Sequence, residues 1–325
     1  MNMLIVGAGA VGQPYGYHLK QGGASVSFYV RPKVAEEVRR GVVLYPLNRS
    51  RRPDPVFFRE YDVLSTLEEV AAKKWDAVWL CISSTALRTG WFEEFVRVIG
   101  EAVVVSLQPG FEDKEWLLQY VPQQRLVRGM ITVISYQAPL EGESWPQPGV
   151  AYWFPPLSPL PLSGNANHVK PLVHLLKKGG CAAREHASVG KLSAAPTAIL
   201  MPHLLALEAA GWSFRRLVRG DRLGLAAKGS REALRVVGRK NGMSTWLAAL
   251  CTRPLLFRIG LRLLPRFFPF DIETYLKYHF TKVGDQTRMF VRAYIDAAAR
   301  WGLSNESLRE LERQVDLPNP DFSQV

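Results

Sequence analysis

The apolar run Met3-Leu4-Ile5-Val6 leads directly into Gly7-Ala8-Gly9-Ala10-Val11-Gly12, and no other feature constrains the fold of this chain as much. Four consecutive apolar residues read as a short buried strand. The glycines then follow the spacing G-x-G-x-x-G. In that pattern the first permits a tight turn, the second lets backbone approach a pyrophosphate, and the third allows a helix to pack close to the strand. The following "AVGQPYGYHLKQGG" has helical character, with Pro14 in its first turn and a terminal glycine pair suited to a C-cap. A helix N-terminus placed there presents free N–H groups and positive dipole to phosphates. Gly7, Ala8, Gly9, Ala10, Val11 and Gly12 are therefore expected to bind a dinucleotide.

The end of the second apolar run, "ASVSFYV", selects among dinucleotides. An acidic residue there would accept hydrogen bonds from the ribose hydroxyls of NAD. This chain has Arg31 in that place, with Lys33 close behind. A guanidinium cannot accept from a hydroxyl but pairs well with a 2′-phosphate, so NADP (NADPH) is expected over NADH.

Strand-like and helix-like segments alternate through the first half: "TLEEVAAKK", "DAVWLCI", "LRTGWFEEFVRVIG", "AVVVSL" and "RLVRGMITVIS". This is the pattern of a parallel sheet covered by helices. The loop "NRSRRPDP" is basic and broken by proline. Tyr136 to Gly164 is rich in proline and aromatic residues, and reads as an extended connection or short antiparallel strands, with "GVAYWF" the best strand candidate. From Val189 onward the periodicity is helical almost throughout. The predicted fold class is α/β, an N-terminal Rossmann-type dinucleotide-binding domain (1–187) followed by an all-helical C-terminal domain (188–325) for substrate binding and dimerisation.

Of the formal charge of +12, +11 lies between Trp212 and Phe270, where thirteen Lys and Arg face only Asp221 and Glu232. A solvated helix face is the simplest account; a surface for an anionic partner is the functional one. Within it, "RPLLFRIGLRLLPRFFPF" spaces Arg258, Arg262 and Arg266 four residues apart among large apolar side chains. The preferred reading is an ordinary core helix with a basic outer face. Membrane-surface contact through 253–270 is the alternative. Charge alone carries no nucleic-acid motif, and no nucleic-acid partner is expected. Cys81, Cys181 and Cys251 are odd in number and far apart, which suggests neither zinc nor a disulfide framework but buried reduced thiols. The N-terminus lacks a basic segment and a small-residue cleavage site, and the uncharged stretch from Leu192 to Leu207 is interrupted by Pro196 and Pro202. A cytoplasmic protein is expected. His18, His168, His174 and His203 show no ligand spacing and are read as structural; no metal site is expected.

"SVGKLSAAPTAIL" places one cation, Lys191, ahead of an apolar stretch without another ionised side chain until Glu208. One reading is a solvated helix end, the other a half-desolvated lysine able to donate a proton. The glycine loop at residue 7, Arg31 after the second strand and a helical domain opened by "GKLS" together resemble the ketopantoate reductase (2-dehydropantoate 2-reductase) family. The resemblance implies that Lys191 donates the proton as hydride from NADPH reaches the 2-oxo carbon of ketopantoate, a step in pantothenate biosynthesis. It also implies that Ser83 and Pro109 lie beside the cofactor and that Asp285 or Gln286 grips the substrate. The chain departs from the family pattern at Ala195 and Pro109, where the family has asparagine, and at Ser83 and Ser84, where it often has lysine. The expected function is an NADPH-dependent reductase of a 2-oxo acid or related carbonyl; the alternative is an NADP-binding regulator or scaffold with little turnover.

Overall fold

The computed structural model describes residues 1–316. Contacts divide the chain into two compact units, Met1–Pro109 with Asp113–Gly190, and Lys191 onward with Gly110–Glu112. The division falls three residues beyond the boundary read from the sequence, with the short excursion 110–112 unforeseen.

The first unit is built on an eight-stranded sheet. Its strands run in the spatial order Ala183–Glu185, Leu160–Ser163, Leu126–Gly129, Val103–Ser106, Ala77–Leu80, Asn2–Val6, Ser25–Tyr29, Asp62–Leu64. All pair in parallel except Leu160–Ser163, which is antiparallel to Leu126–Gly129. Asn2–Val6 is central, and its side chains alternate between two cores as strand geometry requires. Met3 and Ile5 join Tyr15, Phe28 and Trp79 on one face, while Leu4 and Val6 join Leu80, Phe92 and Phe95 on the other. A strand buried on both faces has to be apolar at every position, which is why it reads as an unbroken run.

The proline-rich stretch contributes Gly149–Trp153 and the end of Ile134–Ala138 to a second sheet of four strands, in the order Val56–Phe58, Val42–Pro46, Gly149–Trp153, Ile134–Ala138. The "GVAYWF" segment is its third strand, antiparallel to Ile134–Ala138. The segment "RLVRGMITVIS", read as one strand, is two strands in different sheets. Val42–Pro46 was not foreseen; it pairs with Val56–Phe58 on one side and, on the other, with Gly149–Trp153 from about 100 residues later in the chain.

The second unit is helical. Val189–Ala209 continues through both prolines for 21 residues, long and apolar enough to span a membrane by composition, and 56% of that window is buried as in a core helix. Arg222–Asn241 packs against Gly284–Arg300 and Glu306–Asp316. Buried Glu232 accepts from Ser304 Oγ (2.9 Å) and the backbone N–H groups of Ser307 and Leu308, and so caps the last of these helices. Of the three cysteines, Cys251 is exposed, contrary to the expectation of three buried thiols. It lies on a short helix, Trp246–Cys251, no residue of which is buried.

Candidate active site

In the first unit the strand register gathers the candidate residues at one edge of the sheet. Val6 stands opposite both Tyr29 and Leu80, Leu80 opposite Ser106, and Ser106 opposite Arg128. The loops leaving these parallel strands carry Gly7–Gly12, Arg31, Ser83 and Pro109. This carboxyl edge, at the point where connections diverge from the central strand, is where open α/β sheets bind ligands.

The three glycines of the loop have separate causes. Gly7 has φ +96°, and a Cβ on it would lie 2.7 Å from Ile82. A Cβ on Gly12 would lie 2.0 Å from the Gly7 carbonyl oxygen. Packing within the protein demands both. At Gly9 a Cβ would meet nothing within 4 Å and φ is not positive, so nothing in the protein itself requires glycine there. Open space over a backbone with no side chain is what an approaching pyrophosphate needs, so the loop fits a dinucleotide. The loop is held from within, as the Gly7 N–H donates to Tyr29 O (2.9 Å) and Gln13 Nε2 donates to Ala8 O (2.8 Å). The helix Gly12–Gln21 begins directly after it. Gly12→Ala is expected to lower stability by about 1–3 kcal/mol through overpacking. Gly9→Ala should leave Tm unchanged while weakening dinucleotide binding about tenfold, about 1.4 kcal/mol. Thermal melts and cofactor titration of the two variants check this pair.

Arg31 ends the second strand and precedes the helix Pro32–Arg39, its backbone extended (φ −61°, ψ 142°). The side chain is exposed and makes no hydrogen bond or ion pair among the described residues. Ser83 caps the helix Ser84–Leu87, its Oγ accepting from Ala86 N–H (3.1 Å). Buried Ser84 donates to Asp113 (2.7 Å), and Arg88 holds the other carboxylate oxygen (2.7 Å). The serine pair therefore shapes the loop.

Two residues at this edge were missed by sequence reasoning. Buried Gln108 donates to Leu80 O (3.0 Å) and Ile82 O (2.8 Å) and accepts from Ser106 Oγ (2.9 Å), tying two strand ends together just before Pro109. Arg128 lies against Gly190, where a Cβ would come within 2.6 Å of Nη1. Among the described residues its Nη2 makes only a long bond to Gln108 O (3.4 Å), and its buried Nε makes no hydrogen bond. Burial pulls this guanidinium below its ordinary pKa, against the opposite influence of Asp113 and Glu115. The signal available was a lone cation inside an apolar strand, "LVRG".

In the second unit Lys191 stands at the start of the helix Val189–Ala209, immediately after Gly190. Its side chain is exposed, not half-desolvated. Ala195 is one turn on. Asp285 and Gln286 open the helix Gly284–Arg300, where the Asp285 carboxylate accepts from Gln286 N–H (2.8 Å). Arg288, one turn further, pairs with Glu208 (2.9 Å) at the other end of the Lys191 helix. Seventeen residues separate Lys191 from Glu208, about 25 Å at roughly 1.5 Å per residue. Arg288 thus ties the start of the Asp285 helix to the far end of the Lys191 helix. The segment 110–112 is held by Lys240, whose ammonium donates to Phe111 O and lies 4.0 Å from the Phe111 ring centroid.

A family model, ketopantoate reductase PanE/ApbA, matches residues 3–151. That match spans the glycine loop, Arg31, Ser83 and Pro109. A PanE/ApbA family ketopantoate reductase from Ralstonia eutropha JMP134 has the same fold, with TM-score 0.72, 19% identity and 97% of each chain covered. A 2-dehydropantoate 2-reductase from Geobacter metallireducens GS-15 superposes with TM-score 0.70 at 15% identity, over 97% of this chain and 99% of that one. D-mandelate dehydrogenase with NADH and anilino(oxo)acetate gives TM-score 0.67 at 13% identity, over 97% of each chain. No curated protein sequence matches the chain. The structural likeness thus carries the ketopantoate reductase fold across both units.

Proposed function

We propose that the chain is an NADPH-dependent reductase of a 2-oxo acid or a closely related carbonyl, a reaction suited to a reducing, cytoplasmic setting. The observation that carries this reading is the glycine loop, open over Gly9, with an uncommitted Arg31 at the adjacent strand end. The Gly9 backbone and the amides opening the helix Gly12–Gln21 would hold the pyrophosphate, and Arg31 the 2′-phosphate. The bound cofactor supplies hydride to the carbonyl carbon. Lys191 would donate a proton to the oxygen on which negative charge develops. The mandelate dehydrogenase neighbour holds NADH, so the preference for NADPH rests on Arg31 alone. NADPH oxidation across a panel of 2-oxo acids, ketopantoate among them, tests the reading; absence of turnover with all of them would favour the second reading, a cofactor-binding regulator. That alternative draws on Pro109, which has no N–H to offer, and on Ala195, which has no polar group.

Arg128 supports an acid substrate over a neutral one. A largely buried guanidinium with an unbonded Nε is costly unless an anion completes it. Arg128→Gln is expected to raise KM for 2-oxo acids about tenfold, while KM for the matching neutral 2-oxo esters changes little. Parallel kinetics on acid and ester would show the split.

A further inference from the structure

The helix Pro254–Leu263 has its amphipathic faces the wrong way round for a core helix. None of its residues is buried. Leu255, Ile259 and Leu263 recur at four-residue spacing, sharing one face, and are 66%, 48% and 45% exposed. The opposite face is the one that meets the protein, through half-buried Phe257 and Leu261, with Phe257 stacked on His203 at 3.7 Å between ring centroids. Trp246 and Leu247 before the helix, and Phe267 after it, are between 62% and 70% exposed. Eight of the fourteen large hydrophobic side chains exposed among the described residues lie within these 22 positions, so this is one contiguous sequence feature and not the usual scatter.

Charge decides what covers it. Arg253, Arg258, Arg262 and Arg266 are exposed in the same segment, and no acidic residue occurs between Glu232 and Asp271. A second copy of the chain laid face to face across a two-fold axis would set these arginines against themselves. An acidic, apolar surface satisfies both properties together. Interfacial helices sink an apolar face to the headgroup boundary while flanking arginines meet anionic headgroups, and tryptophan favours that depth.

We infer that residues 246–267 dock the protein on an anionic phospholipid surface, as a peripheral attachment that leaves Val189–Ala209 in the core. This inference is independent of the reductase reading. The test is co-sedimentation of the full chain with vesicles of phosphatidylcholine alone and of phosphatidylcholine with phosphatidylserine, at low and high salt. Binding is expected only to the acidic vesicles and should be lost at high salt. Arg258→Gln with Arg262→Gln should weaken it about thirty-fold, the equivalent of about 1 kcal/mol for each arginine near an acidic surface. Leu255→Ser with Ile259→Ser and Leu263→Ser should abolish it without lowering Tm, because all three side chains are already exposed. Failure to sediment with acidic vesicles at low salt overturns the inference, as does binding that the triple serine variant retains. So does a dimer, seen by analytical ultracentrifugation, that this variant dissociates in the absence of any vesicle binding.

Discussion

Replacing Lys191 by alanine is expected to lower kcat by about 10²–10⁴, the usual worth of general-acid assistance, while NADPH affinity stays nearly unchanged. The two effects should separate because Lys191 belongs to one unit, and Gly7–Gly12 and Arg31, the cradle proposed for the cofactor, to the other. Hydride arrival builds charge on the carbonyl oxygen, and an ammonium there both stabilises and protonates it. Lys191→Arg should also be poor, since guanidinium gives up a proton reluctantly near neutral pH. The side chain is exposed, so neither substitution should disturb folding. Single-turnover kinetics with whichever 2-oxo acid the panel selects provide the measurement. Turnover surviving Lys191→Ala within a few-fold would reduce the lysine to a solvated helix end.

Arg31→Ala should weaken NADPH binding by about 1.5–3 kcal/mol, the value of a hydrogen bond to a charged group, and leave NADH almost unaffected. The guanidinium is exposed and uncommitted, so its loss costs the fold nothing. Its backbone position beside the glycine loop follows from parallel pairing of Asn2–Val6 with Ser25–Tyr29. Titration of both cofactors against wild type and variant reads the difference directly. Equal losses for NADPH and NADH would place Arg31 away from the 2′-phosphate.

Local sequence determined the first unit's central architecture. A strand buried on both faces must be apolar throughout, a glycine turn must open the helix, and both demands fall on consecutive residues 3–12. The capping box of Thr66 with Glu69 and the helix start at Pro32 likewise depend only on near neighbours in the chain. The second sheet does not, because Val42–Pro46 acquires strand character by pairing with Gly149–Trp153, far off in sequence.

The site divides in the same way. Gly7, Gly9, Gly12 and Arg31 announce themselves through spacing, since one turn and one strand end suffice to place them. Gln108 and Arg128 do not, because what distinguishes them is a carbonyl on a neighbouring strand, or the lack of any partner for a buried nitrogen. Asp285 and Gln286 were favoured by chain position, whereas the pairing of Arg288 with Glu208, which ties the start of their helix to the far end of the Lys191 helix, appears only in the tertiary structure. The orientation of Pro254–Leu263 was decided by tertiary structure as well. Periodicity shows that a helix has an apolar face, but only the packing of Phe257 on His203 shows that this face turns outward.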